Sequence, residues 1–137
     1  MKNNGKDAEK AFEDHWTRVG HCERLRDKGD LIGLNGGKNI ADFPKPSDFI
    51  VSRRGVGLHY AEVKSTTHKT RFEFKCIRPG QSKAALTEAM RGCGSYKFYI
   101  FSYELGSWFI MTCDTYAAIM ETGVRSILFS ELTPWKI

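Results

Sequence analysis

The N-terminal part of the chain carries an apolar stripe with the spacing of an amphipathic helix. The members of the stripe are Ala8, Phe12, Trp16 and Val19. The pattern predicts a helix over residues 5–19 that ends at Gly20, because glycine commonly follows the last helical turn. Glu9 falls at the edge of this stripe, where its carboxylate can reach a neighbouring site or stay solvated, whereas Glu13 points further toward solvent.

Two short segments of alternating residues follow and predict a β-hairpin. Residues 46–51 and 58–65 have strand character and are joined by a glycine-containing turn. Because side chains alternate faces along a strand, Glu62 and Lys64 project to the same side. Pairing of the two strands would bring Asp48 beside Glu62.

The segments before this hairpin are less regular. Residues 21–27 are predicted to form a short edge strand, and residues 31–46, rich in Gly, Asn and Pro, a long connection. Within that connection, residues 33–38 partly resemble a phosphate-binding loop. The glycine spacing is one residue short, however, and Asn39 stands where such a loop needs Ser or Thr. We therefore reject a phosphate-binding loop here.

The middle of the chain predicts an extended segment followed by a second helix. Residues 71–76 alternate between aromatic and charged positions, as a half-buried strand or extended segment does. Pro79 opens a helix over residues 79–91, and Gln81 lies in its first turn. The helix formers and expected core contacts are Ala84, Ala85, Leu86, Ala89 and Met90.

The C-terminal part predicts a second hairpin, from residues 96–103 and 108–113, and a third helix over 115–122 with Asp114 as its N-cap. The resulting order is helix, β-meander, helix, hairpin, helix. This order predicts an α/β or α+β domain in which helices flank a mixed central β-sheet.

The chain of 137 residues has the length of one domain with a hydrophobic core, and we expect that domain to span residues 1–137. No stretch reaches the length of a membrane span, and the first ten residues carry no apolar signal region, so we expect a cytoplasmic protein. The scattered cysteines are expected to be reduced thiols, and neither they nor the histidines have iron–sulfur or zinc spacing. The cysteines are Cys22, Cys76, Cys93 and Cys113.

The net charge of +5 is concentrated in one part of the sequence. Residues 53–83 contain eight Lys or Arg and two Glu, a net charge of +6, whereas the flanking parts are close to neutral. A basic field around an acidic pair suits a polyanion such as DNA. An ordinary basic loop would have the same composition.

Asp48, Glu62 and Lys64 are the candidate chemical groups. Two acidic ligands and one ammonium around a single point are what metal-assisted phosphodiester hydrolysis needs. Glu62 and Lys64 are out of place on a strand face that otherwise carries Leu58 and Tyr60. An isolated Glu-x-Lys is more often a solvated face or a salt bridge, and the upstream Asp48 in a Pro-Ser-Asp-aromatic context favours a site.

In this arrangement the sequence resembles the PD-(D/E)XK nuclease superfamily. The matching residues, in order, are Pro46-Ser47-Asp48-Phe49, Glu62-Val63-Lys64, Phe72-x-Phe74 and, on the following helix, Gln81. Within the superfamily the sequence is most similar to RecU-type Holliday-junction resolvases and related phage nucleases. Gly5-Lys6-Asp7-Ala8-Glu9 is also similar to the Gly-x-x-x-Glu of archaeal-type resolvases, and the resemblance covers residues 5–113.

The resemblance implies a restriction-endonuclease-like core and a metal-dependent mechanism. Asp48 and Glu62, with the backbone carbonyl of Val63, would bind Mg²⁺ or Mn²⁺ through oxygen atoms. Lys64 would orient the attacking water or stabilise the transition state. Gln81 would hold water or phosphate.

Further roles follow from the same resemblance. Glu9 would complete or support a metal position. His68 is a candidate base, although a phosphate contact or a surface position is the more common role for such a histidine. The residues that would contact DNA phosphates are Arg53, Arg54, His68, Lys69, Arg71, Lys75, Arg78 and Lys83.

Three functions remain open at this point. The first is a Holliday-junction or branched-DNA resolvase acting as a homodimer, since two symmetric cuts need two sites. Two departures from RecU-type proteins weaken the case for junction specificity: the chain is shorter upstream of Asp48, and we identify no long basic stalk in it. The second function is therefore a restriction- or repair-type nuclease that acts on ordinary duplex DNA. The third is a non-catalytic DNA-binding module. Aromatic residues that would form either a dimer interface or, as expected, the core of the second hairpin are Tyr99, Phe101, Trp108 and Phe109.

Overall fold

A computed structural model describes residues 4–26, 45–92 and 94–137. The rejected phosphate-binding loop, most of the predicted connection and Cys93 lie outside these ranges. The strands in the described part are β1 (His21–Arg24), β2 (Phe49–Arg53), β3 (Val56–Thr66), β4 (Arg71–Glu73), β5 (Tyr96–Ser102), β6 (Ser107–Thr112), β7 (Ser126–Leu128) and β8 (Thr133–Trp135). The helices in the same part are α1 (Asn4–Val19), α2 (Pro79–Arg91) and α3 (Cys113–Glu121).

Six of the strands form one mixed sheet in the order β1-β2-β3-β5-β6-β8, and β4 pairs with β7 in a separate two-stranded sheet. The pairing of β3 with β5 is parallel, and every other pairing is antiparallel. A parallel pair needs a crossover between its strands, and α2 lies in that crossover. The predicted mixed sheet flanked by helices is confirmed.

The two faces of the central sheet carry separate hydrophobic clusters. The α1-side cluster contains Ala8, Phe12, Trp16, Phe49, Val51, Ala61, Val63, Tyr99 and Trp108. The cluster on the opposite face includes Ala85 of α2, Tyr116 of α3 and the inward side chains Tyr96, Phe98 and Ile100 of β5. Burial of Tyr99, Trp108 and Phe109 confirms that they are core residues, and Phe101 is half-buried.

Helix α1 agrees with its predicted bounds, and Gly20 has a steric reason for being glycine. A Cβ atom on Gly20 would collide with the carbonyl oxygen of Ser52 in β2. The close approach allows β1 to follow the helix immediately and to pair with β2. Val19, assigned to the apolar stripe, is 41% exposed because it occupies the last helical position, beyond the sheet contact.

Helix α2 begins at Pro79, as predicted, and ends at Gly92, whose φ of 67° is the left-handed conformation that glycine adopts readily. Ala85 is fully buried. The prediction that Met90 is a core contact is wrong, because its side chain is 88% exposed. Met90 lies five residues beyond Ala85, which rotates it by about 140° around the helix, away from the sheet.

Two other boundaries differ from the predictions. Helix α3 begins at Cys113, not at residue 115, because the Thr112 hydroxyl accepts a hydrogen bond from the Thr115 N–H and acts as N-cap in place of Asp114. The extended segment ends at Glu73, and a 3-10 turn over Phe74–Cys76 leaves Cys76 exposed. The strands β7 and β8 were not predicted.

The thiols of Cys22, Cys76 and Cys113 are free, as predicted. Among the described residues, no helix is long and apolar enough to cross a membrane.

Candidate active site

The register of the β2–β3 hairpin brings the two candidate carboxylates together. Phe49 pairs with Ala61 and Ile50 with Tyr60, so that Asp48 lies across from Glu62. Both side chains are buried, with relative exposures of 6% for Asp48 and 2% for Glu62. Burial raises the pKa of Glu62, and the nearby charge of Asp48 raises it further.

Asp48 is fixed from several directions. Its Oδ2 accepts a hydrogen bond from the Val63 N–H at 3.0 Å, and its Oδ1 accepts one from the Lys45 ammonium at 3.2 Å. Its backbone carbonyl accepts from the Leu25 N–H at 2.9 Å. These contacts hold the carboxylate just before β2 begins, against the edge of β3.

The surroundings of Glu62 disfavour its ionised form. Its Oε2 accepts hydrogen bonds from Gln81 Nε2 at 2.9 Å and forms an ion pair with Lys64 Nζ at 3.2 Å. Its Oε1 is buried and has no hydrogen-bond partner among the described residues. Burial, reinforced by the charge of Asp48, raises the pKa of Glu62 from 4.5 to about 8 despite the opposing effect of Lys64.

Gln81 reaches Glu62 because of the way α2 begins. The Gln81 Oε1 accepts a hydrogen bond from the Arg78 N–H at 3.0 Å, one half of a capping box, and its Nε2 is thereby turned toward Glu62. Pro at the first helical position and Gln at the third therefore serve both the helix and the site. The structure brings together Glu62, Lys64 and Gln81, as the resemblance implied.

Lys64 is also held rigidly. Its ammonium donates a hydrogen bond to the Cys76 carbonyl oxygen at 3.0 Å, in addition to its ion pair with Glu62. The side chain is 14% exposed. The 3-10 turn that ends at Cys76 thus supplies the contact that directs the Lys64 side chain.

The backbone of Val63 faces the same region. In an extended strand the N–H and C=O of one residue point to the same side. Since the Val63 N–H donates to Asp48, its carbonyl lies on that side of β3 as well. Carboxylate and carbonyl oxygens are the ligands that Mg²⁺ and Mn²⁺ prefer, and an unpartnered buried carboxylate oxygen such as Glu62 Oε1 fits a cation ligand.

Glu9 is not brought into the acidic pair. Its Oε1 accepts a hydrogen bond from the Arg24 guanidinium at 3.0 Å, and Glu13 accepts one from the same group at 3.2 Å. No group of three or more His, Cys, Asp or Glu that could hold a metal occurs in residues 4–26, 45–92 and 94–137. Glu9 therefore lies in an ion-pair cluster with Arg24, and the metal ligands that the site can offer are Asp48, Glu62 and the Val63 carbonyl.

The basic residues lie on both sides of the site. Arg53 is the last residue of β2 and Arg54 lies in the β2–β3 turn, about 20 Å along the strand from Glu62 at about 3.3 Å per residue. Beyond the other end of β3, His68 Nδ1 accepts backbone hydrogen bonds from Thr70 and Arg71, which gives this ring a role in shaping the turn. The exposed cationic residues that follow β3 along the chain are Lys69, Arg71, Lys75, Arg78 and Lys83, of which Lys75 is paired with Glu73 at 3.4 Å.

Sequence reasoning missed two groups of the site. Lys45 was counted within the long connection, although its position three residues before Asp48 was the available signal. Tyr96, at the start of β5, donates its hydroxyl to the Pro46 carbonyl and so ties the segment before Asp48 to the sheet. This contact depends on the parallel pairing of β3 with β5, which no local pattern in the sequence indicated.

No protein-family model matches this chain. Comparison with curated proteins likewise finds no match.

Proposed function

We propose that the protein is a metal-dependent DNA endonuclease of the PD-(D/E)XK type, with branched DNA as its substrate. The observation that supports this proposal is the buried Asp48–Glu62 pair, in which one Glu62 oxygen has no partner within the part of the chain that the structure describes. Burial of an unsatisfied carboxylate is costly to a protein unless a proton or a cation compensates it. The raised pKa of Glu62 reflects this cost, and burial is its largest cause.

The oxygen atoms of Asp48, Glu62 and the Val63 carbonyl would hold Mg²⁺, or Mn²⁺ in its place. When bound, the ion supplies Lewis-acid activation of the scissile phosphate and lowers the pKa of a coordinated water. Glu62 would hold the ion as a carboxylate, since carboxylates bind metal in the ionised form. Asp48 remains oriented by the Val63 amide throughout.

Lys64 and Gln81 have separate tasks in this proposal. Lys64, fixed by the Cys76 carbonyl, presents its ammonium to the negative charge that develops on the phosphate. Gln81, turned by the capping box, orients Glu62 and offers an amide to a water or phosphate oxygen. Both side chains are already positioned, so little reorganisation is needed during the reaction.

The exposed basic residues that precede and follow β3 along the chain would contact the DNA backbone and make binding sensitive to salt. Symmetric cutting of a junction needs two active sites, and a homodimer supplies them. We propose that the protein acts in the cytoplasm of a bacterial or phage-infected host cell.

The test is cleavage of a synthetic four-way junction beside a matched linear duplex, with Mg²⁺, Mn²⁺ or EDTA. Wild type and Glu62→Ala are compared, with Glu104→Ala in the exposed β5–β6 turn as control. Metal-dependent paired nicks near the crossover, lost in Glu62→Ala alone, are the expected result. Equal cutting of both substrates would indicate a general duplex nuclease, and binding without any cutting would indicate a non-catalytic DNA-binding module.

A further inference from the structure

Lys45 occupies a distinctive position at the acidic pair. Its ammonium lies 3.2 Å from Asp48 Oδ1, and its side chain is 26% exposed. The other oxygen, Oδ2, is taken by the Val63 amide. Because the backbone fixes Oδ2, Oδ1 is the Asp48 oxygen whose partner can be exchanged. In the structure that partner is Lys45.

The two lysines of the site differ in how firmly they are held. Lys64 is 14% exposed and has two partners, the Glu62 carboxylate and the Cys76 carbonyl. For Lys45, the hydrogen-bond partner within the described ranges is Asp48 alone. Lysine is a compact charge on a flexible stem, so Lys45 can leave its carboxylate without breaking any other described contact of its ammonium.

The charges of the site make such an exchange necessary once a divalent cation binds. The Lys45 ammonium compensates the Asp48 carboxylate, from which it lies 3.2 Å away. A cation on the same carboxylates would face the Lys45 ammonium across a few ångströms in a partly desolvated site, where like charges repel strongly. A phosphodiester that enters the site carries a negative charge, with which the displaced Lys45 ammonium can form an ion pair.

If the protein has the proposed function, a role for Lys45 follows, and we propose that Lys45 is an internal counter-cation. It neutralises Asp48 in the metal-free protein, gives way to a divalent cation, and pairs with the substrate phosphate after it is displaced. Lys45 therefore weakens metal binding when DNA is absent and strengthens DNA binding when metal is present. A lysine that only supports the fold would not produce these two effects of opposite sign.

The first arm of the test is a calorimetric titration of Mn²⁺ into the DNA-free protein. Removal of a partly exposed ion pair at Oδ1 is expected to tighten Mn²⁺ binding by about threefold to tenfold in Lys45→Gln. Lys45→Ala serves as a second neutral variant, and thermal unfolding shows that each variant is folded. Lys45→Arg keeps the charge and should bind Mn²⁺ like wild type.

The matched control is Lys10→Gln, because Lys10 forms an ion pair with Asp14 at 3.4 Å on the exposed surface of α1. Its Mn²⁺ affinity should equal that of wild type. Equal Mn²⁺ affinities for wild type and both neutral Lys45 variants would overturn this inference and leave the proposed function standing. Failure of wild type itself to bind Mn²⁺ would overturn the proposed function.

The second arm measures binding of a fluorescent DNA junction by anisotropy, with EDTA or with Ca²⁺ as a hard, oxygen-binding cation. The gain in DNA affinity on adding Ca²⁺ should be at least about threefold smaller in Lys45→Gln than in wild type or Lys10→Gln. An equal gain in Lys45→Gln would overturn the transfer of Lys45 to the phosphate.

Discussion

Two buried polar residues of β3, His59 and Glu62, differ in how fully their side chains are hydrogen-bonded. On the face toward α1, His59 is 4% exposed and both ring nitrogens have partners, the Gly57 carbonyl at 2.8 Å and the Tyr99 hydroxyl at 2.8 Å. On the other face, Glu62 is 2% exposed and one of its oxygens has none among the described residues. The same strand thus holds one satisfied and one unsatisfied buried group.

This difference separates a structural role from a functional one. Burial lowers the pKa of His59, so that the ring stays neutral and its two hydrogen bonds fit one tautomer, with the proton on Nδ1 toward Gly57. For Glu62, burial instead raises the pKa of a carboxylate whose Oε1 has no hydrogen-bond partner among the described residues. Satisfied buried polar groups stabilise a fold, whereas an unsatisfied buried group points to a bound partner or a function.

The largest expected effect is on cleavage, and it tests the Glu62 face alone. Asp48→Asn and Glu62→Gln keep the side-chain shapes but remove the charges that would hold the metal. Each should lower the cleavage rate by on the order of a thousandfold, equivalent to about 4 kcal/mol. Single-turnover assays on a junction measure the loss, with DNA affinity determined in parallel. Retention of more than a tenth of the wild-type rate would contradict the site assignment.

The α1 face should respond through stability. Phe12 is fully buried, and its ring centroid lies 4.8 Å from that of Tyr99 and 5.2 Å from that of Phe49. Phe12→Ala should lower the free energy of unfolding by about 3–5 kcal/mol through lost burial and a new cavity. Urea denaturation measures this loss, and Leu105→Ala, at a half-exposed turn position, should change stability by less than about 0.5 kcal/mol.

A pH series distinguishes the two buried groups. The folded-state pKa of Glu62, about 8, lies above the ordinary 4.5, so its contribution to stability is complete below pH 4.5 and is lost as the pH rises through 8. Metal-free wild type should therefore lose about 2–4 kcal/mol relative to Glu62→Gln between pH 5 and pH 9. Denaturation curves of both proteins provide the comparison, and parallel pH profiles would contradict the raised pKa.

The smallest expected effect concerns His59. Because burial lowers its folded-state pKa below 6.5, its contribution to stability is complete above pH 6.5 and is lost as the pH falls below that value. Tyr99→Phe removes the partner of Nε2 and should cost about 1–2 kcal/mol at pH 8. Urea denaturation at pH 8 and pH 5 measures both effects. Cleavage per folded molecule should stay at the wild-type level, and a large drop would show that the two faces are coupled.

Local sequence patterns were sufficient wherever one element carried its own signals. The stripe that contains Phe12 and Trp16 predicted α1, Pro79 predicted the start of α2, and the alternation around Glu62 predicted β3. Patterns failed where a competing local contact decided the outcome. Thr112 replaced Asp114 as N-cap because its hydroxyl reaches the Thr115 amide.

The candidate site divides in the same way. Asp48, Glu62 and Lys64 were predictable because charged residues interrupt strand patterns, and a hairpin keeps them close in sequence. Lys45 lies in a stretch without periodicity, so its ion pair with Asp48 had no pattern to reveal it. Glu9 has a suitable position on its helix, but Arg24 of β1 binds it, and that pairing depends on how α1 and β1 pack.

By itself, the sequence determined the helices and hairpins and the acidic pair with its lysine, because periodicity and turn residues act over a few positions. Only the tertiary structure decided which buried polar groups are satisfied. The Tyr99 hydroxyl comes to His59 from 40 residues away, and Gln81 comes to Glu62 from 19 residues away. Such contacts depend on the parallel pairing of β3 with β5 and the crossover through α2, and hydrogen-bond satisfaction is a property of the assembled fold.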